Sequence, residues 1–226
     1  MWNDRTKLLV GQDGIEKLEK ASVAIIGVGG VGGYVCHMLA RAGVGRITIV
    51  DFDKVDETNI NRQVVANAKT VGKLKTDVMK KQILDINPQC KVTAFANRLD
   101  AEFAQKLFEQ KFDYIVDAID SVADKVDLIC ECIENEIPIV SAMGAGNRKD
   151  IPQFKVCDIY KTFNDGLAKV MRKKLREKGV KKLDVVTCDT PAQKIDKKKN
   201  AVGSISYYPA MCGCVLGAFV INQIIK

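Results

Sequence analysis

Short apolar runs recur along the first two thirds of the chain, each closed by glycine, an acid or a polar pair and each followed by a longer stretch of helical periodicity. The run Ser22 to Ile26 ends in glycines, as a strand buried on both faces does. Similar runs at 46–50, 91–95, 113–117 and 138–142 predict four more strands. Between them the 3.6-residue pattern predicts helices over 31–42, 72–86, 100–109 and 122–135, with a short helix at 12–20 in front; the helix at 72–86 stops at Asn87-Pro88. Strand and helix alternating in this way predict an α/β fold: a doubly wound, mostly parallel sheet with helices on both faces.

Two stretches depart from the alternation. Residues 52–70 are polar and must form a long loop with some helical turns, and loops of that length usually carry function. From Gln153 the order becomes a strand (153–159), a basic helix (166–178), a strand (184–187), a lysine-rich loop and an apolar closing helix. A chain of 226 residues, 47% hydrophobic, builds one well-buried domain rather than two large ones. We therefore expect a nucleotide-binding part over 1–150 and a basic extension with the closing helix over 151–226.

Charge sharpens this division. Of the cations behind the net charge of +7, thirteen lie between Lys161 and Lys199 against five acids. Such a concentration is either a solvated helix face or a footprint for the phosphate backbone of a nucleic acid, whose binding would depend strongly on salt. The eight cysteines are scattered through core-like segments and contain no CxxC pair, which suits reduced thiols. The first twenty residues mix charges with apolar positions and do not read as a secretory signal, so the expected location is cytoplasmic. The run from Ile205 to Ile225 is broken by Ser206, Pro209, Asn222 and Gln223, short of the roughly 20 apolar residues a bilayer needs. It is expected to be a buried helix, with no membrane partner.

Candidate chemistry begins at Gly27-Val28-Gly29-Gly30-Val31-Gly32, which follows a strand and opens a helix. In that context Gly27, Gly29, Gly30 and Gly32 let the backbone approach a phosphate at a helix amino end, as in Rossmann-like folds. Asp51, nineteen positions past Gly32, ends the second strand where an acid can bond ribose hydroxyls. These features alone suit a nicotinamide dehydrogenase. Against it, Asn59, Asn61, Arg62 and Gln63 fall in the following loop and Lys75 opens the next helix, bringing two cations and several amides toward a polyphosphate. Asp117 and Asp120 end the fourth strand at the carboxyl edge, where a carboxylate can hold Mg²⁺ against triphosphate oxygens. The single histidine, His37, lies inside the helix after the glycine turn and reads as structural.

GVGGVG at 27–32, DFDKVDETNINRQ at 51–63, VGKLK at 71–75 and VDAIDS at 116–121 resemble the adenylating enzymes that include the activators of molybdopterin-synthase and thiamine sulfur carriers and the ubiquitin-activating enzymes. INP at 86–88, DAIDSV at 117–122, GAGNRKD at 144–150 and the segment from Asp158 to Gly179 resemble the tRNA threonylcarbamoyladenosine dehydratase branch of that family. Gly166 stands where the branch usually has proline.

The resemblance implies ATP and Mg²⁺ as cofactors. The glycine turn and Asp51, with Asp53, Asn59, Asn61, Gln63, Asp117 and Ser121 near them, would hold the nucleotide; Arg62 and Lys75 would grip its phosphates; Asp120 would bind the metal. Arg5, within DRTKLLVGQDG, resembles an arginine that reaches into the partner subunit's site and so implies a homodimer. The implied substrate is the anticodon stem-loop of tRNA, contacted by Arg148, Lys173, Lys174, Lys197, Lys198 and Lys199. A sulfur-transfer protein is a further expected partner, and Cys188, beside the lysine-rich loop, is the thiol to consider for a covalent role. Three rivals stay open: an activator of a small sulfur-carrier protein, a non-catalytic nucleotide- or partner-binding module, and a dehydrogenase.

Overall fold

A computed structural model describes residues 2–193 and 202–226. In chain order the elements are α1 (Asp4–Lys20), β1 (Ser22–Ile26), α2 (Gly32–Ala42), β2 (Arg46–Val50), α3 (Lys75–Ile86), β3 (Lys91–Phe95), α4 (Ala101–Phe108), β4 (Tyr114–Asp117), α5 (Val122–Glu134), β5 (Ile139–Ala142), β6 (Phe154–Asp158), α6 (Gly166–Glu177), β7 (Asp184–Cys188) and α7 (Tyr207–Ile224). The expected α/β alternation is present. The strands form one seven-stranded sheet in the order β3-β2-β1-β4-β5-β7-β6, parallel except for β6, which runs antiparallel to β7.

Because successive side chains on a strand point to opposite faces, each central strand feeds two cores. Val23 and Ile25 of β1 join Ile47, Ile49 and Val116 against Leu18 of α1, Leu39 of α2, Met79 of α3 and Leu216 of α7. Ala24 and Ile26 join Ile115 and Val185 against Leu107 of α4, Ile129 of α5 and Met171 of α6. Both helical layers are therefore fixed by the same strands.

The closing helix is long and apolar enough to cross a membrane by length and composition. Its glycines show what it does in this fold. A Cβ at Gly217 would stand 2.6 Å from Cβ of Met38, and one at Gly213 would meet the Val31 carbonyl and stand 2.9 Å from Cβ of Tyr34. The helix lies in direct contact with α2, its face of Tyr208, Cys212, Leu216 and Val220 buried. The expectation of a buried helix holds for this face.

Two boundaries differ from expectation by three residues or more, the others by one or two. α1 starts at Asp4, eight residues early, and breaks at Gly11, whose φ of 72° and ψ of 179° are not helical. Its first half leaves Leu8 and Leu9 more than 80% exposed, so no buried face marked it in the sequence. α3 begins at Lys75 rather than 72, because Leu74 pairs with Lys54 in a β-bridge and Gly72 turns the chain at φ 84°.

Candidate nucleotide site

The winding of the sheet reverses between β1 and β4, and there the loops at the carboxyl ends diverge and leave a crevice. A cavity of about 600 Å³ opens at that point. One wall is the glycine turn: Gly27, Gly29 and Gly30 line it, while Gly32 is buried in the first turn of α2. The turn has little freedom. Gly27 sits at φ 93° with the Ala118 carbonyl where a Cβ would go, and a Cβ at Gly32 would strike the Gly27 carbonyl oxygen.

Asp51 lines the cavity at the end of β2. Its Oδ2 accepts the Val28 N–H at 2.7 Å and its Oδ1 accepts the Asp53 N–H at 2.8 Å, so the carboxylate ties the glycine turn to the loop after β2. Burial pushes its pKa above the ordinary carboxylate range, against the opposing pull of Lys75 and the two amides. Lys75 is itself buried and donates from Nζ to Oδ2 of Asp53 at 2.7 Å. Arg62 lines the same wall; its Nη1 donates to the Thr58 carbonyl and to Oδ1 of Asn61, both at 2.8 Å. Gln63 also lines the cavity, more than nine-tenths buried, and its Oε1 has no hydrogen-bond partner among the described residues. Asp120 projects from the β4–α5 loop onto the opposite wall, exposed and with no hydrogen bond or ion pair among the described residues.

Several expected site residues take other places. Asp117 is fully buried, absent from the cavity wall and paired with Lys125 at 2.7 Å, so its carboxylate is closed to a ligand. Asn59 is buried in a capping box, with Oδ1 accepting the Asp56 N–H, and Asn61 donates to the Ser204 carbonyl; neither lines the cavity. Ser121 occupies the N-cap position of α5, likewise off the wall. Arg5 is exposed on α1, away from this cavity.

Arg148 does line the cavity, but as a buried brace rather than an open cation. Its Nε donates to the Thr190 carbonyl at 2.6 Å, its Nη2 to the Asn164 carbonyl at 3.0 Å and its Nη1 to the Gly144 carbonyl. With each guanidinium nitrogen donating to a backbone carbonyl and 5% of the residue exposed, it is a brace and not an open cation for RNA. Lys173 and Lys174 are exposed on α6. Lys197, Lys198 and Lys199 lie outside the described residues.

The structure adds residues that the sequence reading missed. Arg98, in the loop after β3, reaches Asp124 of α5 at 3.2 Å and lies 6.0 Å from the centre of the Phe52 ring, and all three line the cavity. On the far side the wall is built by residues 144–148 and by Asp165, Gly166 and Leu167 at the start of α6. Asp165 fixes that junction: Oδ1 caps α6 through the Ala168 N–H at 3.0 Å and Oδ2 accepts the Gly144 N–H at 2.9 Å. The signal available for Arg98 was topological, since a loop at the carboxyl end of β3 is adjacent to the ribose loop.

Cys188 is a closed thiol. It is fully buried at the end of β7 and off the cavity wall. Burial is the largest single influence and raises its pKa, but the hydrogen bonds it makes with Thr190 and Tyr208, together with those to the backbone at Thr190 and Gln153, outweigh burial, and the net direction is downward. His37 bonds Gln82 at 3.0 Å, as a structural residue does.

A glycine turn, a carboxylate at the end of β2, two cations and an uncommitted carboxylate meet around one crevice at the switch point of an α/β sheet, the arrangement of a nucleotide-handling protein. The chain belongs to the ThiF family, which it matches over residues 4–226. It is 40% identical to the tRNA threonylcarbamoyladenosine dehydratase of Bacillus subtilis, an alignment covering 98% of this chain and 94% of the relative. The crystal structure of the tRNA N6-threonylcarbamoyladenosine dehydratase of Escherichia coli in complex with AMP superposes with a TM-score of 0.92 at 33% identity, covering 98% of this chain and 93% of that one. The same enzyme in complex with ATP gives 0.90 at 32% identity with the same coverage.

Proposed function

We propose that this protein is an ATP-dependent tRNA threonylcarbamoyladenosine dehydratase. The observation that carries the proposal is the meeting, in one cavity, of the glycine turn with Arg62, Lys75 and the free carboxylate of Asp120. Likeness over nearly the full length to enzymes of that name supports it.

A carboxylate does not condense at neutral pH, because its oxygen is a poor leaving group. Transfer of AMP onto that oxygen cures this: the carboxylate attacks the α-phosphorus of ATP, diphosphate leaves, and an acyl-adenylate remains. The carbamoyl group of the same nucleoside then attacks the activated carbonyl carbon, closing a ring and expelling AMP. The oxygen lost from the nucleoside departs on AMP, so the net change is loss of one water. The second step is intramolecular and needs no enzyme nucleophile, which agrees with the closed position of Cys188.

The first step brings two anions together, and the protein's part is electrostatic. Lys75 and Arg62 hold phosphate oxygens, with Arg5 of the partner subunit completing the set in a homodimer; one preorganised donor of this type is worth roughly 3 to 4 kcal/mol. The exposed Leu8 and Leu9 beside Arg5 give that arm an apolar face to bury. Asp51 takes the ribose, and the buried Oε1 of Gln63 accepts from the bound nucleotide. Mg²⁺ fits the donor set, since it is ordinarily held by one or two carboxylates plus phosphate oxygens and water, and Asp120 is such a carboxylate. Bound there it would neutralise charge on the phosphates. The basic face of α6, whose first residues line the cavity, leads the anticodon stem toward it, and a tRNA substrate supports the reading of a cytoplasmic protein.

The test is incubation with ATP, Mg²⁺ and tRNA carrying threonylcarbamoyladenosine, followed by nucleoside mass spectrometry. Loss of one water with release of AMP is expected. AMP formation that requires a protein ending in Gly-Gly, and not tRNA, would transfer the chemistry to a sulfur-carrier activator.

A further inference from the structure

Beneath the cavity lie three polar side chains with no part in nucleotide handling except through Asp120. Lys125, Asp117 and Ser141 are all fully buried. Lys125 Nζ donates to Oδ2 of Asp117 at 2.7 Å and to the Ser141 hydroxyl oxygen at 3.1 Å, and that hydroxyl donates to the same Oδ2 at 2.5 Å. Their neighbours on β4 and β5, Ile115, Val116, Ile139 and Val140, are buried and apolar. Removing two charges from water costs several kcal/mol each, and apolar residues of similar volume generally serve stability as well or better. Packing alone therefore does not call for this cluster.

Its connections suggest what does. The other oxygen of Asp117, Oδ1, accepts the backbone N–H of Ile119 at 3.1 Å, one residue before Asp120. The chain of interactions runs from Ser141 and Lys125 through the Asp117 carboxylate to the amide of Ile119, the residue before Asp120. The same loop is pressed against the glycine turn, where the Ala118 carbonyl fills the space beside Gly27. Lys125 and Ser141 also anchor the two segments that flank the loop across the cavity, since Asp124 and Ala142 both line it.

We infer that Lys125 and Ser141 are positioning residues: they lock the Asp117 carboxylate so that it holds Asp120 at the place where it receives the divalent ion on ATP. The inference rests on the proposed role of Asp120 as a metal ligand. Partners that orient a metal-ligating carboxylate typically contribute about 10- to 100-fold in metal affinity or activity.

The test uses the full-length protein, a non-hydrolysable ATP analogue and Mn²⁺ followed by electron paramagnetic resonance, with the kcat and KM of AMP formation measured alongside. Asp120→Ala sets the scale. Ser141→Ala removes one hydrogen-bonding partner with little loss of volume; Asp117→Asn combined with Lys125→Met removes both charges, so that no lone charge stays buried; Lys125→Arg is the conservative control. The expected result is a Mn²⁺ midpoint raised about tenfold in the double variant and severalfold in Ser141→Ala, with kcat falling and the KM for ATP nearly unchanged, and substantial recovery in Lys125→Arg. Parent-like Mn²⁺ midpoints in Ser141→Ala, or in a double variant that folds, overturn the inference while Asp120→Ala still shifts. Should the double variant not fold, Ser141→Ala decides alone. A parent-like midpoint in Asp120→Ala removes the reading of Asp120 as a metal ligand, and the inference with it.

Discussion

Two glycines two residues apart separate folding from binding. Gly27 is held at φ 93°, where an L side chain is strained by about 1 to 2 kcal/mol. A Cβ there would also lie 2.7 Å from the Ala118 carbonyl oxygen and 2.9 Å from its carbon, closer than Cβ atoms approach backbone, so the β4–α5 crossing must shift. Overpacking of that kind costs roughly 1 to 3 kcal/mol, and Gly27→Ala is expected to lose about 2 to 5 kcal/mol in all. At Gly29 the backbone is not in the left-handed region, and the nearest atom to an added Cβ is Nε2 of Gln63 at 3.8 Å. Gly29→Ala should leave stability within about 0.5 kcal/mol of the parent, or raise it slightly by restricting the unfolded chain.

Binding reverses the order of interest. The new methyl at Gly29 stands on the cavity wall, where the backbone must come close to phosphate, and ATP affinity should fall at least about tenfold, ~1.4 kcal/mol. Urea unfolding gives the stabilities, and displacement of a fluorescent nucleotide gives the affinities. A folded Gly29→Ala protein that binds ATP as the parent does would refute the placement of phosphate on this turn. A Gly27→Ala protein as stable as the parent would refute the steric reasoning.

Further outcomes are expected elsewhere. Asp165→Ala removes the cap of α6 and a partner of the Gly144 N–H and leaves Arg148 without its nearby carboxylate; a loss of about 2 to 4 kcal/mol in urea unfolding is expected, and a loss below that of a simple cap, about 1 kcal/mol, counts against the brace. Neutralising Lys173 and Lys174 should flatten the dependence of log K for tRNA on log salt by up to about 0.7 to 0.9 for each phosphate no longer neutralised while leaving ATP affinity alone, and an unchanged slope removes α6 from the RNA path. Asp51 has its pKa raised chiefly by burial, so its charged form is disfavoured by folding: its contribution to stability is best below the ordinary carboxylate range and is lost as pH rises through the folded value. On the proposed role of Asp51 at the ribose the charged form is the binding one, so ATP affinity should begin to fall above the ordinary carboxylate pKa as acid is added, and that step should vanish in Asp51→Asn.

The strands were legible because nothing competed with the signal. β1, β2 and β3 run where the pattern of short apolar runs predicts them, over the same five residues each. The first half of α1 was not legible, because a segment that buries no face in its own chain carries no periodicity to read. Within the site, Gly27, Gly29, Asp51, Arg62, Lys75 and Asp120 could be picked out because their chemistry sits at the carboxyl ends of predicted strands. Burial was the missing quantity. Asp117 ends β4 and Asp120 lies three residues on in the loop that follows, yet the first faces inward to Lys125 and the second faces the cavity. Arg148 reads as a surface cation in the sequence, where its hydrogen bonds leave no trace, and Asp165 reaches the site only because β7 and α6 bring the second half of the chain to the same edge.

The burial of charge follows a rule across the site. The two driest clusters are Lys125 with Asp117, behind the cavity wall, and Arg148 near Asp165, within the wall itself, each tied to a loop that lines the cavity. Stripping one partner from either leaves a buried charge uncompensated, at a cost of about 3 to 5 kcal/mol where the pair is dry, so neither loop can move without breaking something expensive. The pair at the mouth is built differently: Lys75 is buried, but the side chain of Asp53 is 49% exposed. Asp53 can be released to solvent, and on the proposed role of Lys75 its ammonium then turns to an incoming phosphate. Fixed charges thus set the shape of the walls, while the exchangeable pair supplies a cation that can transfer from carboxylate to substrate without either state stranding it unpaired.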